Sequence, residues 1–327
     1  MHVGLIGPRG HDLFLDNIGD SLLRMGHQIS FLGCARVGLR GSISTSAARV
    51  VLNAAPNLEE HIHLRLVRRA VDRGCDAVIN IEGGLSPVAV AGLRRQRIKV
   101  ALWFPDAVSN LGRARMLAAP YNAIFFKDPL LVRRLRDVLG LPVAYLPEAC
   151  NPRWHRPVGE PGNDGHIVVV GNTYLSRLLL IRRLHEAGIP LAIYGGPPPR
   201  WAQKLLPSEL FVRPPVFGEV KSRVFRGAAG VLNNLHPAEM HGVNCRLFEA
   251  TAAGAAVLCE SRPALSELFD TDREVMRFVT YSDLLEAIRA LLADVRLTRD
   301  IGDAATKRAH AEHTYEVRLN TILDTLA

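Results

Sequence analysis

No apolar run in the 327-residue chain approaches the roughly 18 residues that a membrane-crossing helix requires. The amino end, "MHVGLIGPRGHD", lacks the basic n-region and long apolar h-region of a secretion signal. Cysteine is scarce and scattered: Cys34, Cys75, Cys150, Cys245 and Cys259 form neither a CxxC pair nor Cys/His metal spacing, which fits reduced thiols in a cytoplasmic protein. Aromatic residues are only 6%, and no basic stretch is interleaved with them, so the net charge of +8 does not read as a nucleic-acid surface. The arginines sit instead in helix-like segments such as 93–99 and 131–140, and a site for nucleotide phosphates accounts for part of the basic excess. A full GxGxxG is absent, which excludes the dinucleotide fingerprint. The "DTD" of 270–272 has the form of a metal-binding Asp-x-Asp but no strand before it, so it reads as a surface turn. No metal and no cofactor is expected.

What is present is alternation. "HVGLIG" (2–7), "QISFLG" (28–33), "DAVINIEGG" (76–84), "KVALWFP" (99–105), "NAIFFKD" (122–128) and "VAYLPEA" (143–149) read as buried strands, with helical stretches at 12–27, 60–74, 86–96 and 129–139. The segment 36–58, rich in Gly, Ser and Ala, resists assignment. "NPRWHRPVGEPGNDG" (151–165) holds three prolines and three glycines and reads as a linker. The alternation then restarts at "HIVVVG" (166–171) and ends in helix from Ser282 onward. The expectation is an α/β chain of two Rossmann-like, doubly wound parallel sheets facing across a cleft: a first domain over 1–150, the linker, and a second over 166–313.

Ligands in such sheets lie beyond the carboxyl ends of the strands, so the residues after each strand are the candidates. Gly171, Asn172 and Thr173 open a helix with Arg177 one turn in, a cradle suited to a phosphate, although Asn172 or Thr173 could equally be a helix cap. Gly195 and Gly196 allow close backbone approach, as to a flat ring. Phe217, before another helix, could meet a nucleobase. In "HGVNCRLFE" (241–249), Arg246 and Glu249 share a helix face, Asn244 opens the helix, and His241 and Gly242 precede it. The small residues that follow imply that this helix is buried with its polar first turn toward a ligand. In the first half, Gly10 and His11 follow the first strand, Glu82 and Gly83 the third, and Asp106 the fourth. His11 and Asp106 are candidate general bases, and Gly10, Glu82 and Gly83 are candidate acceptor or sugar contacts.

Residues 217–269, with "LNN", "N-x-R-x-F-E", a small-residue helix and "LSELF", and residues 281–319, with "HTYEVR", resemble the glycosyltransferases related to the spore maturation protein CgeB. "ALWFPDA" (101–107) and "VAYLPEACNPRWHRP" (143–157) are similar to that family's Trp-x-x-Asp and Leu-Pro signatures. The resemblance implies a GT-B glycosyltransferase. Its second domain would bind a nucleotide diphosphate sugar, its first domain an unidentified acceptor, and its last helix, about 314–327, would return to the first domain. It implies that Glu249 contacts the donor ribose. Many related enzymes keep a Glu-x7-Glu pair, and His241 stands here at the earlier position. Two other readings use the same residues: a nucleotide-sugar epimerase on this fold, with His236 and His241 as its only nearby histidines, and a non-catalytic basic binding protein.

Overall fold

The computed structural model describes residues 1–35, 56–107, 115–162, 164–207, 210 and 212–327. Most of the unassigned segment 36–58 therefore lies outside the described residues. The chain divides into two compact units, one of Met1–Pro147 with Glu316–Ala327 and one of Glu148–Tyr315.

The first unit contains strands β1 (His2–Ile6), β2 (Gln28–Gly33), β3 (Ala77–Asn80), β4 (Lys99–Phe104), β5 (Ala123–Phe126) and β6 (Val143–Tyr145). Its helices are α1 (Phe14–Arg24), α2 (Pro56–Asp72), α3 (Pro87–Arg95), α4 (Arg115–Ala118) and α5 (Pro129–Leu139). The strands form one sheet in the order β2-β1-β3-β4-β5-β6, and every pairing is parallel. The apolar runs are continuous because both faces are covered: all four residues of β3 and of β5 are buried. Helix α5 has the limits expected from sequence. Asp128 caps it by accepting from the amides of Leu130 and Leu131, Pro129 occupies the first turn, and Gly140 closes it in the left-handed conformation at φ 63°.

The second unit repeats the plan with β7 (Ile167–Val170), β8 (Leu191–Tyr194), β9 (Val212–Arg213), β10 (Gly230–Asn233), β11 (Val257–Glu260) and β12 (Met276–Phe278). Its helices are α6 (Leu175–Glu186), α7 (Gly218–Gly227), α8 (Cys245–Ala252), α9 (Leu265–Leu268), α10 (Tyr281–Ala293) and α11 (Val295–Glu312); α12 (Tyr315–Leu326) runs into the first unit. The order β12-β11-β10-β7-β8-β9 is the Rossmann order. Alternate residues of β7 face opposite ways, as the pleat requires. Val168 and Val170 join Phe225, Leu247 and Phe248 in one core, whereas Ile167 and Val169 join Ile181 and Ile288 in the other.

The expected linker 151–165 lies inside the second unit. Asn151 and His155 are fully buried. The Asn151 amide donates to His155 Nδ1 at 2.9 Å, and Gly162 and Asp164 donate to the carbonyls of Arg226 and Gly227 at 3.0 and 2.9 Å. Proline and glycine here shape a tight, hydrogen-bonded surface path rather than a tether. Among the described residues, no helix is long and apolar enough to cross a membrane.

Candidate functional site

In the second unit the strand order reverses between β7 and β10, which is where a doubly wound sheet opens a crevice for a ligand. Gly171 follows β7 at φ +122°, a conformation that disfavours any side chain. Arg177 of α6, only 5% exposed, reaches across the reversal. Its Nε and Nη2 donate to Asn234 Oδ1 and to the Asn234 carbonyl, and its Nη1 to the Asn172 carbonyl, each at 2.9 Å. The Tyr174 hydroxyl donates to the same Asn234 carbonyl at 2.9 Å. Arg177 is thus a brace that ties the loop after β7 to the loop after β10, as well as a charge. A Cβ added at Gly171 would lie 3.2 Å from Arg177 Nη1 and 3.5 Å from Arg246 Nη2, so two guanidinium groups flank the same bare backbone. Burial lowers the pKa of Arg177, and the neighbouring Arg246 charge lowers it further against the opposing effect of Tyr174.

Neither Asn172 nor Thr173 caps α6. The N-cap is Tyr174 without a side-chain bond, and the Thr173 hydroxyl donates to the Gly196 carbonyl at 3.2 Å. The first-turn amides of α6 therefore receive no side-chain cap, the arrangement that favours an anion. Of the two expected glycines, Gly195 is structural. A Cβ there would lie 2.1 Å from the Gly171 carbonyl oxygen, whereas at Gly196 it would meet nothing within 4 Å. Phe217 is the N-cap of α7 and is 42% exposed, an aromatic face available to a ligand.

Helix α8 starts at Asn244, whose side chain makes no capping bond and whose Oδ1 is buried without a hydrogen-bond partner. Glu249, 6% exposed, is held at both oxygens. Arg246 Nη1 bonds to Oε2, and Lys221 Nζ of α7 lies 3.0 Å from Oε1. Arg246 therefore links the carboxylate to Gly171. Gly242 is buried, and half-buried His241 accepts the Ala264 amide on its carbonyl at 3.0 Å. The Cys245 thiol is pushed well up by burial and then by the Glu148 and Glu249 carboxylates, so it is an inert neighbour. Asn234 also borders a cavity of about 410 Å³ with Ser176, Arg183, Glu260, Arg262 and Phe278. There Glu260 is taken by Arg262 at 2.9 Å and by the Leu235 amide at 2.9 Å, so the reversal point carries the stronger chemistry.

In the first unit, His11 and Asp106 are exposed after β1 and β4. The Gly10 amide donates to Asp16 Oδ2 at 2.7 Å, which closes the loop before α1. Glu82 and Gly83 are not presented as a contact loop. Glu82 is 3% exposed and accepts the Ala35 amide at 2.6 Å, and a Cβ on Gly83 would lie 2.7 Å from Met116 Cε. His63 accepts from the Ser86 amide on Nδ1 at 3.1 Å, so its Nε2 donates to the Ala35 carbonyl at 2.8 Å. Asn80 donates to the Glu82 carbonyl and to the Tyr121 hydroxyl at 2.7 and 2.8 Å. Buried polar pairing fixes this loop from within.

The structure thus gathers Gly171, Arg177, Arg246 and Glu249 around one reversal point, with Thr173 and Gly196 bonded beside it. Lys221, Asn234 and Tyr174 are participants that sequence reasoning missed. For Lys221 a signal existed: it stands four residues before Phe225, on the apolar stripe of α7 rather than its wet face.

Residues 177–324 match the family model described as "Glycosyl transferase-like". The chain carries a glycosyltransferase domain. The GT-B fold of the enzyme is shared with solved glycosyltransferases at low identity. Sucrose-phosphate synthase from Thermosynechococcus elongatus is 15% identical with a TM-score of 0.71, covering 98% of this chain and 97% of that one. HepE from Anabaena, solved in complex with UDP, is 14% identical with a TM-score of 0.66, covering 99% of each chain. AviGT4, a glycosyltransferase of avilamycin A biosynthesis, is 15% identical with a TM-score of 0.65, covering 99% of this chain and 96% of that one. No curated protein matches the glycosyltransferase.

Proposed function

We propose that this glycosyltransferase moves a sugar from a nucleoside diphosphate sugar, with UDP as its first candidate carrier, to an acceptor taken by the first unit, in the manner of the CgeB-like enzymes and in the cytoplasm. The observation that carries the reading is the pair of guanidinium groups, Arg177 and Arg246, converging on side-chain-free Gly171. Two cations held together out of water repel, and a diphosphate bound there offsets that repulsion and the charge that develops on the leaving group. The uncapped amides at the start of α6 and at Asn244 add dipoles of the same sign. Glu249 serves the ribose, Phe217 the base, and His241 and Gly242 the sugar side. His11 and Asp106 are the candidate bases for the acceptor. HepE, whose fold this chain shares, is solved with UDP, which supports the choice of nucleotide.

Calorimetry with UDP, GDP and ADP tests the reading. One nucleoside diphosphate should bind, and Arg246→Met should weaken it by about tenfold or more, the loss of one charge-assisted hydrogen bond. Failure of all three to bind would refute the proposal. Turnover that survives EDTA supports a metal-independent reaction, with Arg177, Arg246 and helix termini in place of a cation; loss of turnover restored by a divalent ion would overturn that part.

A further inference from the structure

We propose that Lys221 is a positioning residue that sets ribose selectivity by holding the Glu249 carboxylate fixed in orientation; this rests on the donor reading above. Helix α7 buries a stripe of Lys221, Ser222, Phe225 and Arg226. Three members of the stripe have structural explanations. Phe225 is core, the Ser222 hydroxyl donates to the Trp154 carbonyl at 2.7 Å, and Arg226 donates to the Gly254 carbonyl at 2.7 Å. Lys221 differs, because its ammonium group, on a side chain 4% exposed, is directed at a carboxylate that is itself 8% exposed.

A buried ion pair is weak evidence for stability, since an apolar residue of similar volume often serves the fold as well or better. The lysine is therefore better explained by what it does to Glu249. An ionised carboxylate only accepts hydrogen bonds, whereas a protonated carboxyl also donates. With Lys221 on Oε1 and Arg246 on Oε2, the carboxylate is held at both oxygens. Such a group selects ligands that offer hydroxyl donors, and vicinal ribose hydroxyls are the donors that a nucleotide carries. Without Lys221, the carboxylate keeps Arg246 as a partner but is no longer fixed in the orientation that meets the ribose hydroxyls.

The test uses the full chain, with UDP and 2′-deoxy-UDP as calorimetric probes. The wild type should prefer UDP. Lys221→Met should weaken UDP about tenfold, as expected for a lost charge-assisted contact, and change 2′-deoxy-UDP by less than about twofold. Lys221→Arg should restore most of the preference. Lys221→Met combined with Glu249→Gln should bind no more weakly than Glu249→Gln alone, because both changes break one unit. Equal loss for both probes, or no loss for either, would overturn the proposal. If Lys221→Met does not fold, Lys221→Gln replaces it under the same criteria. A wild type that binds UDP without preferring it over 2′-deoxy-UDP sinks the selectivity role and leaves the donor reading standing. A wild type that binds neither sinks both.

Discussion

The two units present the same edge of the same kind of sheet, yet they finish it with different chemistry. Each has six parallel strands and a reversal of strand order, next to β1 in the first unit and next to β7 in the second. Each places a glycine after that strand and a buried glutamate nearby. In the first unit, a Cβ on Gly7 would lie 2.4 Å from Ile81 Cγ1, so an apolar side chain fills the space. Its glutamate, Glu82, accepts a neutral backbone amide. In the second unit, two guanidinium groups occupy the corresponding space and the glutamate sits between cations. One topology thus yields a loop held by neutral hydrogen bonds and a pocket rim held by charge. Burying charge is the more costly of the two choices.

The largest expected contrast is between the two glutamates. Glu249→Ala strands buried Lys221 and partly buried Arg246 and should cost about 3–5 kcal/mol in denaturant unfolding as well as UDP affinity. Glu82→Ala leaves the buried Ala35 amide without this acceptor and should cost about 1–3 kcal/mol, with UDP affinity unchanged within about twofold. Similar costs at both sites, or a nucleotide defect at Glu82, would break the comparison. Adjacent glycines of the second unit sharpen it next. Gly195→Ala forces a side chain into the Gly171 carbonyl and should cost about 3 kcal/mol, at the upper end of overpacking, while Gly196→Ala should fall within about 0.5 kcal/mol. Equal melting shifts for the two variants would contradict the packing described.

The smallest effect is one the units share. Burial pushes the Cys259 thiol up to about 12 from an ordinary 9.0, and burial raises the Tyr121 hydroxyl above its ordinary 10.0. Both groups then stay protonated in the folded chain where the unfolded chain has lost its proton. The stability they contribute is complete below pH 9.0 and is lost as pH rises toward the folded values. Melting temperature should be flat on this account up to pH 9 and fall beyond it; a rise above pH 9 would show that other groups dominate.

The sheets were legible because parallel strands covered on both faces are written as unbroken apolar runs, as in "HIVVVG" and "KVALWF". Elements without periodicity were not legible: the two-residue β9, the 3-10 turn Arg200–Leu205, and the short helices α4 and α9. The 151–165 segment misled because proline and glycine mark a constrained path as readily as a free one. Within the site, residue types at strand ends pointed to Gly171, Arg246 and Glu249. Their partners were harder to read: Lys221 in "GEVKSR" is marked only by standing four residues before Phe225 on the apolar stripe, and Asn234 in "LNN" gives no hint that it accepts two bonds from Arg177. Arg177 was legible as a cation but not as a brace, since bracing depends on a partner 57 residues away.

The return of Glu316–Ala327 to the first unit has a consequence for how the chain is assembled. The unit that begins first is completed last. On a ribosome, the second unit has all of its sequence once Tyr315 has emerged, whereas the first must wait, one helix short, while that entire unit is made. Leu319, Ile322 and Leu326 of that helix are buried, so the waiting unit exposes the apolar surface that they will cover. Synthesis order and folding order are therefore uncoupled, and a fragment ending near Pro147 is an unfinished body rather than an independent domain.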